Sequence, residues 1–383
     1  MPINMQLSFW EKSQWFDNVD IVVLGSGIVG LHAAYYIKKK NPRLNILIIE
    51  RGFLPYGAST RNAGFACIGS ASEILNDLDK DSEYKVFQLV EQRYKGLLGL
   101  RELLGDENIE YEQNSGFEIF TETDSQSFLE CESKLEYLNT RLKSITKDNT
   151  YKIVNERIAH FGLSKVKNLI QNKFEGQIDT GKMMFVLSEK VRQSGVKILN
   201  GLEIKQIHTE SSGVTLMSSE GFQIKAGKVV ICTNGFAKEF LSDISITPGR
   251  AQVLITNEIK DLKLCGSFHY QSGYYYFRNV GKRVLIGGGR NLNFQGETTT
   301  NFGVTEQIQA SIEKLLEDII LSGVEYKIEQ RWSGIMGLGE SKSPIIQEIK
   351  PNIYCAVRLG GMGVALGYLV GKEVAELVSL NYQ

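Results

Sequence analysis

A glycine-rich segment between an apolar strand and a helix constrains this chain more than any other feature. Residues 21–30 read IVVLGSGIVG, and the next apolar stretch, LNILIIE, ends at Glu50. Gly25 permits a tight turn, Gly27 lets the backbone approach a pyrophosphate, and Gly30 lets the helix pack closely against the strand. Glu50 follows at a position where a carboxylate can accept hydrogen bonds from a ribose. The segment therefore predicts a βαβ unit that binds an adenine dinucleotide, and a tight turn without a ligand is the alternative.

Composition and charge argue against several other classes of protein. The 383 residues include 43 Lys and Arg against 44 Asp and Glu, so nothing favours nucleic acid or an anionic membrane as a partner. No apolar run reaches the length of a transmembrane span, and the N-terminal residues lack the basic and apolar regions of a secretory signal. Cysteines and histidines are scattered, without CxxC or metal-ligand spacing. We therefore expect free thiols, a cytoplasmic location and no metal site.

The order of the predicted elements indicates two interleaved domains. Apolar runs predict buried parallel strands near residues 21, 46, 196, 230 and 353. The strands between them are aromatic and alternate as antiparallel strands do. Amphipathic spacing predicts helical structure from Ala71 to Gly105 and from Asp124 to Ile145, with a short strand at Ile109–Tyr111. We therefore predict an α/β fold, in which a Rossmann-like nucleotide-binding domain is interleaved with an α+β domain built on an antiparallel sheet.

Seven motifs, taken together in their order and spacing, resemble a known family. They are VLGSGIVG with Glu50 and Arg51, GASTRNAGF at 57–65, GQIDTGK at 176–182, VVICTNGFA at 229–237, YYFR at 275–278, RWSGIMG at 331–337 and GGMGVALGYLVGKEVAEL at 360–377. The chain resembles the D-amino acid oxidase-like family of FAD-dependent oxidoreductases, which includes glycine oxidase, sarcosine oxidase and gamma-glutamylputrescine oxidase. The resemblance implies an FAD-binding domain of residues 1–75, 175–245 and 328–383, and a substrate domain of residues 76–174 and 246–327.

The resemblance also implies which residues contact FAD. These are Gly25, Gly27, Ile28, Val29, Gly30, Glu50, Arg51, Ser59, Thr60, Arg61, Asn62, Ala63, Gly64, Ile204, Thr233, Gly235, Gly337, Gly361, Met362, Gly363 and Val364. The helix after Gly363 is implied to direct its N-terminus at the flavin N1–C2=O edge, where reduced flavin carries negative charge. No Cys or His stands where some relatives attach flavin covalently, so the FAD is expected to be non-covalent.

Simpler structural roles remain open for several of these residues. The 57–65 loop could be a surface loop, and Arg61 could form a structural ion pair. Ile204, which the resemblance places with its backbone at the adenine, could be a core residue. The glycines near residue 361 could serve close packing.

The strand GYYYFR predicts a candidate pocket wall. Tyr274 and Tyr276 point to one face of the strand, and Tyr275 and Phe277 point to the other. One face could line a substrate pocket above the flavin, although alternating aromatic residues are also typical of a core. His269 is a weaker pocket candidate, because a lone histidine is usually structural.

Two departures from the family bear on the substrate and the electron acceptor. Many relatives hold a substrate carboxylate with an arginine near residues 334–337, where this chain has Met336. A thioether cannot pair with a carboxylate, so Arg61, Arg278 or Arg331 would have to replace that cation. Leu285 stands where sarcosine oxidase-like members use a lysine for the reaction with oxygen.

The resemblance implies an enzyme that oxidises a C–N bond of an amine or amino acid. A hydride would pass to flavin N5, the imine would hydrolyse, and O2 or another acceptor would take the electrons; no side-chain base is required. The alternatives are a 2-hydroxy acid dehydrogenase on the same scaffold, a catalytically silent FAD-binding protein, and an NAD-dependent dehydrogenase.

Overall fold

The computed structural model describes residues 7–380. Its α-helices are α1 Phe9–Glu11, α2 Ile28–Lys40, α3 Ala71–Leu78, α4 Glu83–Leu104, α5 Ser125–Thr146, α6 Ile158–Phe161, α7 Thr180–Gln193, α8 Glu306–Leu315 and α9 Gly363–Ser379. Its strands are β1 Val19–Leu24, β2 Ile46–Glu50, β3 Phe65–Ala66, β4 Gly116–Thr121, β5 Tyr151–Ile153, β6 Val166–Asn172, β7 Gly176–Gln177, β8 Lys197–Asn200, β9 Ile204–Glu210, β10 Gly213–Ser218, β11 Gln223–Ile231, β12 Thr247–Thr256, β13 Ser267–Tyr270, β14 Tyr275–Val280, β15 Arg283–Gly288, β16 Ile328–Leu338, β17 Ile345–Lys350 and β18 Ile353–Val357.

The chain divides into two compact units, each built from separate segments. The first unit comprises Met1–Thr60, Thr180–Gly249 and Met336–Gln383, of which residues 1–6 and 381–383 lie outside the described part. The second unit comprises Arg61–Asp179 and Arg250–Ile335. The first segment of the first unit ends at Thr60, whereas the sequence predicts that it ends at residue 75. Residues 61–75, with the loop that follows Thr60, therefore belong to the second unit.

The first unit is built on the predicted parallel sheet. Its strands run in the order β17-β18-β11-β1-β2-β8, and β18, β11, β1, β2 and β8 are mutually parallel. These are the strands predicted near residues 353, 230, 21, 46 and 196, so the parallel core is confirmed. All five residues of β2 are buried, as expected for a parallel strand covered on both faces. The carboxyl ends of β1, β2 and β11 meet at one edge, which is where such sheets bind ligands.

The second unit contains an eight-stranded sheet with two chemically different faces. Its order is β16-β12-β15-β14-β13-β4-β6-β5. One face packs into an apolar core that includes Phe117, Phe268 and Phe277. The other face carries a set of residues that we call the polar face: Glu118, Ser267, His269, Tyr276 and Arg278. Strand register places them side by side, because His269 lies opposite both Tyr276 and Glu118, and Ser267 lies opposite Arg278.

Two of the predicted elements differ in the structure. The helical region from Ala71 to Gly105 is two helices, because the polar stretch from Asp79 to Ser82 ends α3 and Ser82 adopts an extended conformation before α4. The short strand predicted at Ile109–Tyr111 is wrong, since Glu107–Ile109 forms a 3-10 turn. The helix predicted from Asp124 to Ile145 is confirmed as α5. Among the described helices, none has both the length and the apolar character that crossing a bilayer requires.

Candidate functional site

The glycine turn between β1 and α2 depends on close backbone packing. Gly25 has φ +96°, a left-handed conformation that favours glycine, and its N–H donates to the carbonyl of Ile49 at 2.8 Å. A Cβ on Gly30 would lie 2.0 Å from the Gly25 carbonyl oxygen, so only glycine lets the helix begin this near the turn. These are the two roles that the sequence predicts for the first and third glycines.

Glu50 lies at the end of β2 and is held by the same turn. Its Oε2 accepts hydrogen bonds from the backbone N–H and the hydroxyl of Ser26, at 3.0 and 3.1 Å. Its Oε1 accepts from the N–H of Gly52 at 3.0 Å. The carboxylate is only 6% exposed. It is therefore fixed in place, while Oε1 retains capacity to accept a further hydrogen bond.

The N-terminus of α2 is capped by a hydroxyl from the following loop. Ser59 Oγ accepts from the N–H of Ile28 at 2.9 Å, and the same oxygen lies 2.9 Å from where a Cβ on Gly27 would be. An anion at a helix N-terminus uses the same N–H groups, so Ser59 occupies a position suited to a pyrophosphate. Thr60 turns away and donates to the carbonyl of Pro55.

Three segments that are far apart in the sequence meet within the first unit. Asn234 Oδ1 accepts from the N–H of Arg358 at 3.0 Å and lies 2.5 Å from where a Cβ on Gly337 would be. The N–H of Gly360 donates to the carbonyl of Gly337 at 3.1 Å. Gly361 lies beside the sulfur of Met336, ahead of α9. The structure thus brings together residues predicted from three separate motifs.

Other predicted residues of this unit have protein partners of their own. The guanidinium of Arg51 stacks on Phe236 at 3.9 Å and forms ion pairs with Glu203 and Glu239. Ile204 is buried in the apolar core of the unit. The cofactor contacts predicted for both residues stay predictions.

In the second unit, the alternation predicted for GYYYFR is confirmed for Tyr275, Tyr276 and Phe277. Tyr275 and Phe277 are buried in the main apolar core. Tyr276 packs on the other face against a smaller cluster with Ala63 and Leu285, and burial raises its pKa to about 12. Tyr274, by contrast, precedes β14 and is 44% exposed.

Glu175 is the residue of this unit that the sequence analysis missed. It is fully buried, and its Oε1 accepts from the N–H groups of Ile68 and Gly69 at 2.9 and 3.0 Å. Its Oε2 lies 3.2 Å from Nε2 of His269. A Cβ on Gly116 would lie 1.9 Å from that oxygen, so the carboxylate depends on a glycine in β4. No local motif marks Glu175, because its partners come from three other segments.

Glu175 favours the protonated form of the His269 imidazole. Burial opposes a charged imidazole, but the hydrogen bond and the negative charge of Glu175 outweigh it, so the pKa of His269 is raised. Cys67 brings its thiol to the same place, and the donor atoms of these three residues lie within 4.8 Å of one another. Burial, together with the charge of Glu175, raises the pKa of the Cys67 thiol. Together, the three side chains form a buried polar cluster.

The three arginines predicted as possible carboxylate partners have different surroundings. Arg61 donates to the carbonyl of Ser333 at 3.1 Å and stacks on Phe302 at 4.6 Å. Arg331 forms an ion pair with Glu313 at 2.9 Å. Arg278 is 6% exposed, and its Nε has no hydrogen-bond partner among the described residues.

Comparison with known families decides the class of the protein. The family described as FAD dependent oxidoreductase matches residues 20–377, which is nearly the whole chain. The chain belongs to this family. It is therefore an FAD-dependent enzyme, and the family resemblance seen in its motifs is confirmed.

Individual relatives of this FAD-dependent oxidoreductase are distant but span its length. The probable oxidoreductase OrdL of Rhizobium meliloti is 22% identical over 377 residues, covering 94% of this chain and 82% of the relative. The sarcosine oxidase subunit beta of Rhodobacter capsulatus is 22% identical over 394 residues, covering 98% and 89%. The crystal structure of glycine oxidase from Bacillus cereus superposes with a TM-score of 0.75 at 18% identity, covering 94% of this chain and 97% of that one. This last likeness confirms the fold.

The first unit of the oxidoreductase fits an FAD on observations of its own. Glu50 Oε1 offers acceptor capacity to a ribose, and Ser59 at the N-terminus of α2 occupies a position suited to a pyrophosphate. Thr233 Oγ1, at the end of β11, is buried without a hydrogen-bond partner among the described residues. A buried hydroxyl without a partner is costly unless a ligand satisfies it. These residues, with the glycines around Gly337 and Gly361, are the ones that could hold the cofactor.

Proposed function

We propose that the enzyme oxidises a C–N bond of a small amine or amino acid, with FAD held non-covalently by the first unit. FAD, when bound, would supply the hydride acceptor for the carbon that bears the nitrogen, and hydrolysis of the resulting imine by water would give a carbonyl compound and ammonia or an amine. Membership of the family supports the redox half of this proposal. The relatives named for sarcosine and glycine oxidation support the choice of a C–N bond.

The polar face of the second unit carries the substrate half of the proposal. Its sheet buries aromatic residues on one side and presents His269, Tyr276 and Arg278 on the other. Buried polar side chains that pack beside aromatic rings are typical of small-molecule sites, where a few polar groups orient the ligand. Phe65 contacts both rings, with centroids 5.4 Å from His269 and 5.6 Å from Tyr276. We assign these residues to binding and orientation of the substrate.

Met336 supports a departure from carboxylate-specific relatives at one position. Its sulfur lies beside Gly361, ahead of α9, and an apolar thioether there cannot hold a carboxylate. We propose that this position contacts an apolar part of the substrate. Leu285, buried in the same cluster as Tyr276, likewise offers no charge for the reaction with oxygen. The acceptor that reoxidises the flavin is therefore either O2 or another compound.

Anaerobic bleaching of the bound flavin tests the proposed function. The FAD-loaded enzyme is mixed with primary, secondary and acylated amines, with amino acids and with 2-hydroxy acids, and the loss of flavin absorbance is recorded. We expect bleaching by at least one amine, with release of a carbonyl compound and an amine or ammonia. Bleaching by a hydroxy acid alone, with a keto acid and no ammonia, would show a hydroxy acid dehydrogenase. No bleaching by any donor would indicate a silent flavoprotein.

We also propose a cytoplasmic location for the enzyme. All five cysteines are free thiols, and Cys265 is exposed. Exposed and unpaired thiols are typical of proteins that work in a reducing compartment.

A further inference from the structure

We propose that Arg278 recognises an anionic group of the substrate, so that the substrate is an amine that carries a carboxylate. This inference rests on the proposed function and adds the residue that replaces the cation absent at Met336. The proposed residue, Arg278, lies on β14. Carboxylate-specific relatives carry their arginine on a different strand.

Arg278 is a buried cation for which the described residues provide no counterion in contact. The residue is 6% exposed, and its Nε has no hydrogen-bond partner in the part of the chain that the structure describes. Among the described residues, no ion pair includes Arg278. Burial lowers its pKa to about 10, which the distant charges of Glu112 and Asp179 only partly oppose. A guanidinium left in this state is destabilising, and proteins usually retain one only where a ligand completes it.

The acids whose charges act on Arg278 are Glu112 and Asp179, and both have other partners. Glu112 accepts hydrogen bonds from the side-chain amides of Gln177, at 2.8 Å, and Asn114, at 3.2 Å. Asp179 also has interactions of its own. Neither carboxylate supplies the two parallel hydrogen bonds that a guanidinium fork can make, so the fork retains its capacity for a ligand.

The other two candidate arginines, Arg61 and Arg331, already interact with groups of the protein. Arg61 is held by the carbonyl of Ser333 and by the ring of Phe302. Arg331 is neutralised by Glu313 and also donates to Gln309 at 2.6 Å. Of the three, Arg278 is the one whose Nε lacks a hydrogen-bond partner among the described residues.

Arg278 lies on the polar face, beside the other residues that we assign to the substrate. Strand register places it between Ser267 of β13 and Leu285 of β15, two residues along from Tyr276. Its Nη2 lies 2.9 Å from where a Cβ on Gly64 would be, so a larger residue at 64 would displace the guanidinium. Gly64 has φ +72°, which favours glycine for a second reason. The fork is thus fixed against backbone on one side and lies among the polar residues on the other.

Binding of a carboxylate and its neutral isostere tests the proposal without turnover. Propionate and propionamide are titrated into the FAD-loaded enzyme, and dissociation constants are read from the perturbed flavin spectrum and by calorimetry. Charge-assisted bonds from a guanidinium fork should make the wild-type enzyme bind propionate roughly tenfold to a hundredfold more tightly than propionamide. Arg278→Met should abolish the preference, and Arg278→Lys should retain part of it because the charge remains.

A matched control removes a different arginine from the same sheet. Arg283 lies on β15, where it pairs with Glu258 and Glu329 at the surface. Arg283→Met should leave the preference for propionate unchanged. Folding of each variant is checked by thermal unfolding and by its FAD content. If Arg278→Met does not fold, the wild-type comparison and Arg278→Lys still decide the proposal.

The outcomes separate this proposal from the proposed function. A wild-type enzyme that binds both ligands equally overturns the role of Arg278, whatever the bleaching experiment shows. The proposal also fails if Arg278→Met keeps the preference for propionate and instead weakens FAD binding, since the guanidinium would then serve the cofactor. Loss of the preference in Arg278→Met, with bleaching by amines intact in the wild type, supports both. Loss of the preference without bleaching by any amine leaves an anion site and removes the proposed reaction.

Discussion

Ser26 and Glu50 hold one another across the carboxyl ends of two neighbouring parallel strands. Glu50 Oε2 accepts both the backbone N–H and the hydroxyl of Ser26, so the middle of the glycine turn fixes the acid that ends β2. An acid that is oriented before a ligand arrives loses little entropy when it accepts ribose hydroxyls. The fingerprint and the acid, which are usually considered separate signals, are one hydrogen-bonded unit.

Replacing Glu50 by Ala should weaken FAD binding. Each lost hydrogen bond between the carboxylate and a ribose hydroxyl is worth roughly 1.5–3 kcal/mol, and the turn also loses its anchor. Titration of the apoprotein with FAD measures the effect. Glu189→Ala, on the exposed side of α7, is the matched control and should bind FAD as the wild type does. Unchanged affinity in Glu50→Ala would show that the acid does not contact the cofactor.

Replacing Gly30 by Ala should destabilise the first unit. The added Cβ would lie 2.0 Å from the carbonyl oxygen of Gly25. Neither residue can move away from the other without distorting the turn. We expect the free energy of unfolding to fall by at least about 1–3 kcal/mol, measured in urea. Gly57→Ala places its Cβ in open space and should have little effect. Equal stability of the two variants would mean that α2 can shift away from the turn.

The purified protein should be yellow and should release its FAD when denatured. The prediction of release follows from the absence of a Cys or His at the positions that some relatives use for covalent attachment. After precipitation with acid, the flavin should appear in the supernatant, and the polypeptide on a denaturing gel should not fluoresce. Fluorescence that stays with the polypeptide would reveal a covalent bond.

Stability should fall as pH rises through the pKa of His269. Glu175 raises that pKa above the unfolded value of about 6.5, so the folded state binds the proton more tightly. This contribution to the free energy of unfolding is fully present below a pH of about 6.5 and is lost above the folded pKa. It amounts to about 1.4 kcal/mol for each unit by which folding raises the pKa of His269. Urea unfolding between acidic and alkaline pH measures it. His269→Asn should flatten this dependence, whereas His208→Asn, at an exposed site on β9, should not.

Arg278→Met should also be at least as stable as the wild type in the absence of ligand. Burial lowers the pKa of the guanidinium to about 10, which means that the folded state disfavours the charge. Removing an uncompensated buried cation should raise the free energy of unfolding by on the order of 1–3 kcal/mol. Urea unfolding of the apoproteins provides the comparison. A marked loss of stability would mean that protein groups already satisfy the guanidinium.

The parallel core and the glycine turn could be predicted from sequence because their signals are local. Continuous apolar runs such as ILII in β2 and the spacing of Gly25 and Gly30 follow from backbone geometry alone. The polar cluster around Glu175 could not be predicted in this way, because its partners at residues 68, 69 and 269 are distant in sequence. The same limit applies to the arginines: Arg61, Arg278 and Arg331 are chemically identical in sequence, and only their neighbours distinguish them.

The strand order of the first unit has a consequence for synthesis on the ribosome. β1 lies between β2 and β11, so its second edge stays unpaired until residues 226–231 have emerged. β11 in turn pairs with β18, whose residues 353–355 are synthesised long after β11. The nascent chain therefore carries an apolar strand edge until β18 has emerged, a state that invites aggregation. Expression of this enzyme should depend on chaperones that protect that edge, and chains shortened before β18 should be degraded.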